Sequence, residues 1–339
     1  MKREILLIVG LLTLLVTMPL VSACTQPAPA PKSEPIVIDV VGLNDDPTIM
    51  LYKQFWDLAE RVEQKSGGAI KFNFKGGPSV ITWFEQFDAL STGVLPALWS
   101  GSNVAESIVP EVLAQGVTHG TMRELRANGF HDLLNESFKE HNMIYLMSGD
   151  SSGFDQFLRV YLDVKIDGPE DLAGLKFAST PNTNPMFEHF GAVPVGVDVF
   201  DMYTAVERGM VSGTTCTADD TVFRFSFNEV CKYFITPGFG SSDIGFFMNL
   251  DSWNKIPPDQ QKLINDTILE VEKDWESEWT EVHEGWVTKW TTEGGMEEIA
   301  FSKDNAKRFI AAFEAATWDP LIAKSPVRGP KLRDLANAK

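Results

Sequence analysis

Residues 36–75 read IVIDVVGLNDDPTIMLYKQFWDLAERVEQKSGGAIKFNFK, and this stretch decides the fold. Residues 36–43 are an apolar run broken only by Asp39 and closed by Asn44-Asp45-Asp46-Pro47, which suits a buried strand of a mainly parallel sheet. Ile49, Tyr52, Phe55, Trp56, Ala59 and Val62 then recur at helical spacing, and Gly67-Gly68 supplies a stop. Ile70, Phe72 and Phe74 alternate with Lys71, Asn73 and Lys75, the period of a strand with one wet face. Strand, helix and strand in that order predict a right-handed crossover between parallel neighbours.

The same grammar extends outward. Residues 83–90 read as helix, 94–99 as an apolar strand, and 143–147 as another strand. A second α/β unit falls within 154–240, with strands at 175–178 and 193–197 and helices at 185–190 and 202–208. Beyond Pro257-Pro258-Asp259, the residues Ile264, Ile268, Val271, Trp275, Trp279, Val282, Trp286 and Trp290 step by three or four, one stripe along a helix of about 45 Å. A helix over 259–290 outruns one small domain. It reads as a brace across two, with a homodimer through its tryptophans as the sharper alternative. The expected division gives domain I residues 36–156 and 242–281, and domain II residues 157–241 and 282–325.

The chain has 339 residues, and its 47 acidic against 29 basic side chains give a formal charge of -18, which excludes a nucleic-acid binder that needs a basic face. Lys2 and Arg3 precede an apolar run over 5–20, the layout of a secretory signal peptide over residues 1–23. It ends in Val21-Ser22-Ala23-Cys24, which resembles a bacterial lipobox and implies lipid on Cys24 and anchorage at a membrane surface. Residues 24–35 carry Pro27, Pro29, Pro31 and Pro35 and read as an extended tether. In an exported protein Cys216 and Cys231 could form a disulfide, or stay as small buried thiols. The five histidines show no metal-ligand spacing, there is no P-loop or dinucleotide fingerprint, and neither cofactor nor metal is expected.

Three linked blocks carry a resemblance. They are Pro169-Glu170-Asp171-Leu172-Ala173-Gly174-Leu175-Lys176-Phe177, then Phe190-Gly191-Ala192-Val193-Pro194-Val195, then residues 201–213, DMYTAVERGMVSG. Together they resemble the extracytoplasmic solute-binding proteins of TRAP transporters, the DctP-like family. Ser66-Gly67-Gly68 and Trp253-Asn254-Lys255-Ile256-Pro257-Pro258 add to the similarity. The resemblance implies a two-domain α/β fold of the periplasmic-binding-protein type, braced by a long C-terminal helix. It also implies capture of a small organic solute, an organic acid foremost, in an interdomain cleft for delivery to a TRAP permease, without catalysis.

The arginine fork that the family places on a carboxylate is absent at its matching position, which holds Ala178. Arg159 is the candidate substitute, one position out of register, and Cys216 stands where an asparagine is usual. A less anionic or more aromatic ligand is therefore expected, or a carboxylate held by Arg159, hydroxyls and backbone N–H groups. Further candidates from strand ends and loops are Asn44, Trp83, Trp99, Thr180, Asn182, Thr215, Phe239 and Asp243. Two other readings carry less. An exported ligand-sensing lipoprotein would share the cleft without a permease, and Gly149-Asp150-Ser151-Ser152-Gly153 matches the elbow of a serine hydrolase with Ser151 as nucleophile.

Overall fold

Strand β1 (Ile36–Gly42), a helix over Lys53–Lys65 and strand β2 (Ile70–Gly76) follow one another as the spacing predicts. The helix buries Phe55, Leu58 and Val62. It stops where Gly67 takes φ +62°, a left-handed turn that costs glycine nothing, and the Gly67 and Gly68 N–H groups cap the Gln64 and Glu63 carbonyls. β1 and β2 pair in parallel, with Ile36 opposite Ile70. The computed structural model describes residues 34–149, 157–179, 183–197 and 201–338.

The remaining strands are β3 (Ala97–Gly101), β4 (Met143–Ser148), β5 (Leu158–Leu162), β6 (Lys176–Ser179), β7 (Val193–Gly196), β8 (Gly213–Thr217), β9 (Tyr233–Thr236), β10 (Ile244–Asn249) and β11 (Glu297–Ala300). They form two mixed sheets, ordered β2-β1-β3-β10-β4 and β11-β9-β5-β8-β6-β7. The antiparallel pairs are made by two strands that arrive directly from the other sheet. β5 follows β4 and runs antiparallel to β8 and β9; β10 follows β9 and runs antiparallel to β3 and β4. The two crossings also pair with each other, because Leu158 and Phe239 exchange both backbone hydrogen bonds at 3.0 Å.

The third connection is the helix Pro258–Thr292, whose 35 residues span about 52 Å. Ile264, Ile268, Val271 and Trp279 join the core on the first sheet, while Trp290 joins the core on the second with Tyr161 and Phe234. All eight stripe residues are buried or half-buried inside the chain, so the stripe is an intramolecular seam. Polar contacts fix its register: Trp279 Nε1 donates to Gln54 Oε1 at 2.8 Å and Trp275 Nε1 to Asp57 Oδ2 at 2.8 Å. Buried Glu272 pairs with Arg126 at 2.7 Å and accepts the Ser148 N–H at 3.1 Å, tying the helix to β4. A further helix, Lys303–Lys324, joins Phe309, Phe313, Trp318 and Leu321 to one core that includes Val112 and Phe130 from the first half and Val160, Phe177 and Phe187 from the second.

Candidate functional site

The ends of β1, β3, β8 and β10 frame a cavity of about 220 Å³. This is room for a small organic molecule. The first sheet contributes Leu43 and Asn44 beyond β1, Gly101 and Asn103 at the end of β3, and Asp243 and Ile244 at the start of β10. The second contributes Phe157 and Leu158 at β5 and Thr215, Cys216 and Thr217 on β8. Ligands of open α/β sheets sit at such strand ends because loops there can diverge while the sheets hold them in place.

Local chemistry shapes each wall. Asn44 Oδ1 accepts the Asp46 N–H at 2.8 Å, and Asp46 Oδ1 accepts the Thr48 N–H at 2.9 Å and its hydroxyl at 2.6 Å, so the acidic turn after β1 is built from successive side-chain-to-backbone bonds. Asp45 reaches across to the Gly77 N–H at 2.6 Å. Partial burial alone would raise its pKa, but the bonds from Ser79 and Gly77 outweigh this and hold the carboxyl below its ordinary value. Position 77 must be glycine, since a β-carbon there would lie 2.4 Å from the Asn44 carbonyl carbon.

Three polar side chains converge on Gly101. A β-carbon built on that glycine would lie 3.5 Å from Trp83 Cζ2, 3.6 Å from Asn103 Oδ1 and 3.8 Å from Asp243 Oδ1. Trp83 Nε1 and Asn103 Oδ1 are buried and have no hydrogen-bond partner among the described residues. Asp243, only 9% exposed, accepts the Asn103 N–H on Oδ2 at 3.3 Å and pairs with no cation among the described residues. Burial pushes its carboxyl up to about 6. An unsatisfied buried polar group costs about 1–3 kcal/mol, so two of them beside a buried carboxylate without a cation among the described residues mark a place where an external partner is expected.

On the β8 wall, Thr217 Oγ1 donates to Asp219 Oδ1 at 2.9 Å, and the Tyr161 hydroxyl donates to the Thr217 carbonyl at 3.0 Å. Asp219 is fully buried, and that burial raises its pKa. The mouth of the cavity is clasped by Arg224, which follows β8. It pairs with Asp220 on its own helix, with Asp46 at 2.9 Å and with the Thr48 carbonyl at 2.9 Å in the acidic turn of the first sheet. Asp220 also accepts the Met50 N–H at 3.2 Å.

Of the residues singled out in the sequence, Asn44, Trp83, Thr215, Cys216 and Asp243 line the cavity. Trp99 does not: strand alternation turns it inward, where its ring packs on Phe55 and its Nε1 donates to the Leu51 carbonyl at 2.9 Å. Phe239 lies one layer behind, edge-on to Phe313, which does reach the cavity. Ala178 is buried in the core with Met202 and Val206, and Arg159 is buried on β5 directly opposite Cys216, outside the lining set. Thr180, Asn182, Ser151 and Cys24 lie outside the described residues. Of the two alternatives for the cysteine pair, the structure has the unbridged one: Cys216 and Cys231 are both free thiols, and burial pushes each up to about 12, so each stays neutral. Sequence reasoning missed Asn103, Thr217 and Arg224. Asn103 lies two positions past the end of β3 at Gly101, just beyond the strand read at 94–99, and Arg224 shows the i,i+4 spacing to Asp220 of a paired arginine.

Two mixed sheets, joined by paired crossings and a bracing helix and enclosing a small cavity at their strand ends, define a two-lobed ligand-capturing protein. Residues 44–323 match the family model of bacterial extracellular solute-binding proteins, family 7 (DctP), and this protein belongs to that family. The fold agrees with solved structures of TRAP periplasmic solute-binding proteins. One from Desulfovibrio salexigens with bound orotic acid is 19% identical with a TM-score of 0.76, covering 88% of this chain and 97% of that one. One from Rhodoferax ferrireducens with bound malonate is 18% identical with a TM-score of 0.75, covering 88% and 96%. One from Haemophilus influenzae with bound L-gulonate is 14% identical with a TM-score of 0.75, covering 90% and 100%. The chain is thus a bacterial extracellular solute-binding protein of family 7.

Proposed function

We propose that the cavity between β3, β8 and β10 is the capture site, and that a small organic solute held there is passed to a TRAP permease. The observation that carries this is the convergence of Trp83, Asn103 and Asp243 on Gly101, three polar groups inside a cavity of about 220 Å³. Asn44, Thr215 and Cys216 complete the wall, and Arg159 sets a buried positive charge on the strand beside β8. Organic acids are the first class to test, because the structural relatives hold orotic acid and malonate. The test is a thermal-shift screen of organic acids, amino acids and aromatic acids. A ligand at 100 times its dissociation constant adds about 2.7 kcal/mol of stability. No shift from any class, together with no solute co-purifying, would refute capture at this cleft.

Domain I comprises, in this reading, residues 36–156 and 242–281, and domain II residues 157–241 and 282–325, moving about the paired crossings at Leu158 and Phe239. Residues 1–23 direct export, and lipid on Cys24 anchors the protein through the 24–35 tether. Metabolic labelling with a tritiated fatty acid, lost in Cys24→Ala, tests the anchor. A homodimer through Pro258–Thr292 would have to use the helix face that carries exposed Leu269, since the tryptophans are committed to the protein's own cores; native mass spectrometry decides this.

A further inference from the structure

The charges of the cavity are lopsided. Among the described residues, its lining holds two ionisable side chains that are charged near neutral pH, Asp243 and Arg224. Arg224 is already paired with two carboxylates, Asp46 and Asp220. Asp243 has no cation among the described residues and is nine-tenths buried. A ligand carboxylate placed against Gly101 would therefore meet a like charge in a poorly solvated place, with the one lining cation among the described residues already paired.

The neighbouring atoms specify what would fit instead. Asn103 Oδ1 and Asp243 Oδ1 are acceptors within 4 Å of a β-carbon built on Gly101, and the Trp83 ring, whose Nε1–H is a donor without a partner among the described residues, reaches the same point with Cζ2. Two acceptors and one donor ask for a partner with two donors and one acceptor. Resting on the capture reading above, we propose that the solute presents an N–H-donating head group, a carboxamide, ureide or protonated amine, to Trp83, Asn103 and Asp243. Asp243 is the specificity-determining residue. An acidic tail is compatible with this assignment, because the β8 wall is built from Thr215, Cys216 and Thr217 and lies beside Arg159. A simple dicarboxylate is excluded by it.

Isothermal titration of the purified full-length protein at pH 8 with three compounds of matched length tests the assignment: glutarate, glutaramate and 4-aminobutyrate. At least one N–H-bearing member should bind ten-fold or more tighter than glutarate, and Asp243→Asn should erase most of the preference for the amine. Asn103→Leu, which keeps the Asp243 charge and removes one acceptor, should weaken glutaramate several-fold and serves if Asp243→Asn does not fold. Tighter binding of glutarate, or a preference unchanged in the variants, overturns the proposal. If no member binds, the solute released on denaturing the protein from its native host and identified by mass spectrometry decides. A solute with an N–H head group supports the assignment. One without such a group overturns it while leaving capture intact. With no co-purifying solute either, the capture reading fails and this inference falls with it.

Discussion

Replacing Asp243 by asparagine should make the unliganded protein more stable at neutral pH. Burial raises the carboxyl from 3.8 to about 6. A raised acid pKa means that the folded state binds a proton more tightly than the unfolded chain does. Stability is therefore unaffected by this group below about pH 4, falls as pH rises from about 4 to 6, and stays low above. A shift of about two units corresponds to about 3 kcal/mol of destabilisation above pH 6. Asparagine has nearly the same shape and no charge. Its oxygen can keep the Asn103 N–H now donated at 3.3 Å, and its amide can turn to the unpaired Asn103 Oδ1. Neither Arg224, committed to Asp46 and Asp220, nor the neutral Cys216 thiol titrates in this window. Urea unfolding of both proteins from pH 4 to pH 8 should show curves that nearly coincide at pH 4 and diverge by about 2–3 kcal/mol in favour of the variant above pH 6. A constant difference across that range, or a variant less stable at pH 8, would refute the view that an uncompensated carboxylate waits in the cleft. Stability gained by removing a binding residue is the expected trade where a site is kept strained for its ligand.

Three further outcomes follow from the contacts. Trp279→Phe keeps the ring but strands Gln54 Oε1 in the interior, and should cost about 1–3 kcal/mol by urea unfolding; a loss under 0.5 kcal/mol would deny the helix its bracing contact. Arg224→Gln removes a part-exposed clasp, so stability should fall by less than about 1 kcal/mol. The rate of solute release, read by stopped-flow fluorescence, should rise several-fold, and an unchanged rate would show that the clasp does not guard the mouth. Without reductant, Cys216 and Cys231 should both react with a thiol reagent after denaturation, whereas a mass two units lower and no reaction would restore the disulfide.

Residues 36–75 and the long helix were readable because each is a long, repeated pattern whose period has one meaning. The strand-end rule also found Asn44, Trp83, Thr215, Cys216 and Asp243, residues that the topology obliges to sit near the cleft. It failed at Trp99, because within a strand the neighbouring positions face opposite layers and only the sheet's partners settle which layer is the core. Asn103 and Arg224 sit on short helical turns whose direction depends on contacts more than 100 residues away, such as the Asn103 N–H with Asp243 and Arg224 with Asp46. No local periodicity encodes those. The absent family arginine at Ala178 was visible in the sequence, but the buried carboxylate that faces the cleft became apparent only once β3 and β10 were side by side.

The most direct test of capture at the strand-end cleft is a crystal structure of the protein with the solute that its native host supplies. The account predicts electron density for a small organic molecule between Gly101 and β8, within hydrogen-bonding distance of Trp83 Nε1, Asn103 Oδ1 and Asp243. A solute bound elsewhere, with the cleft filled only by water, would contradict it.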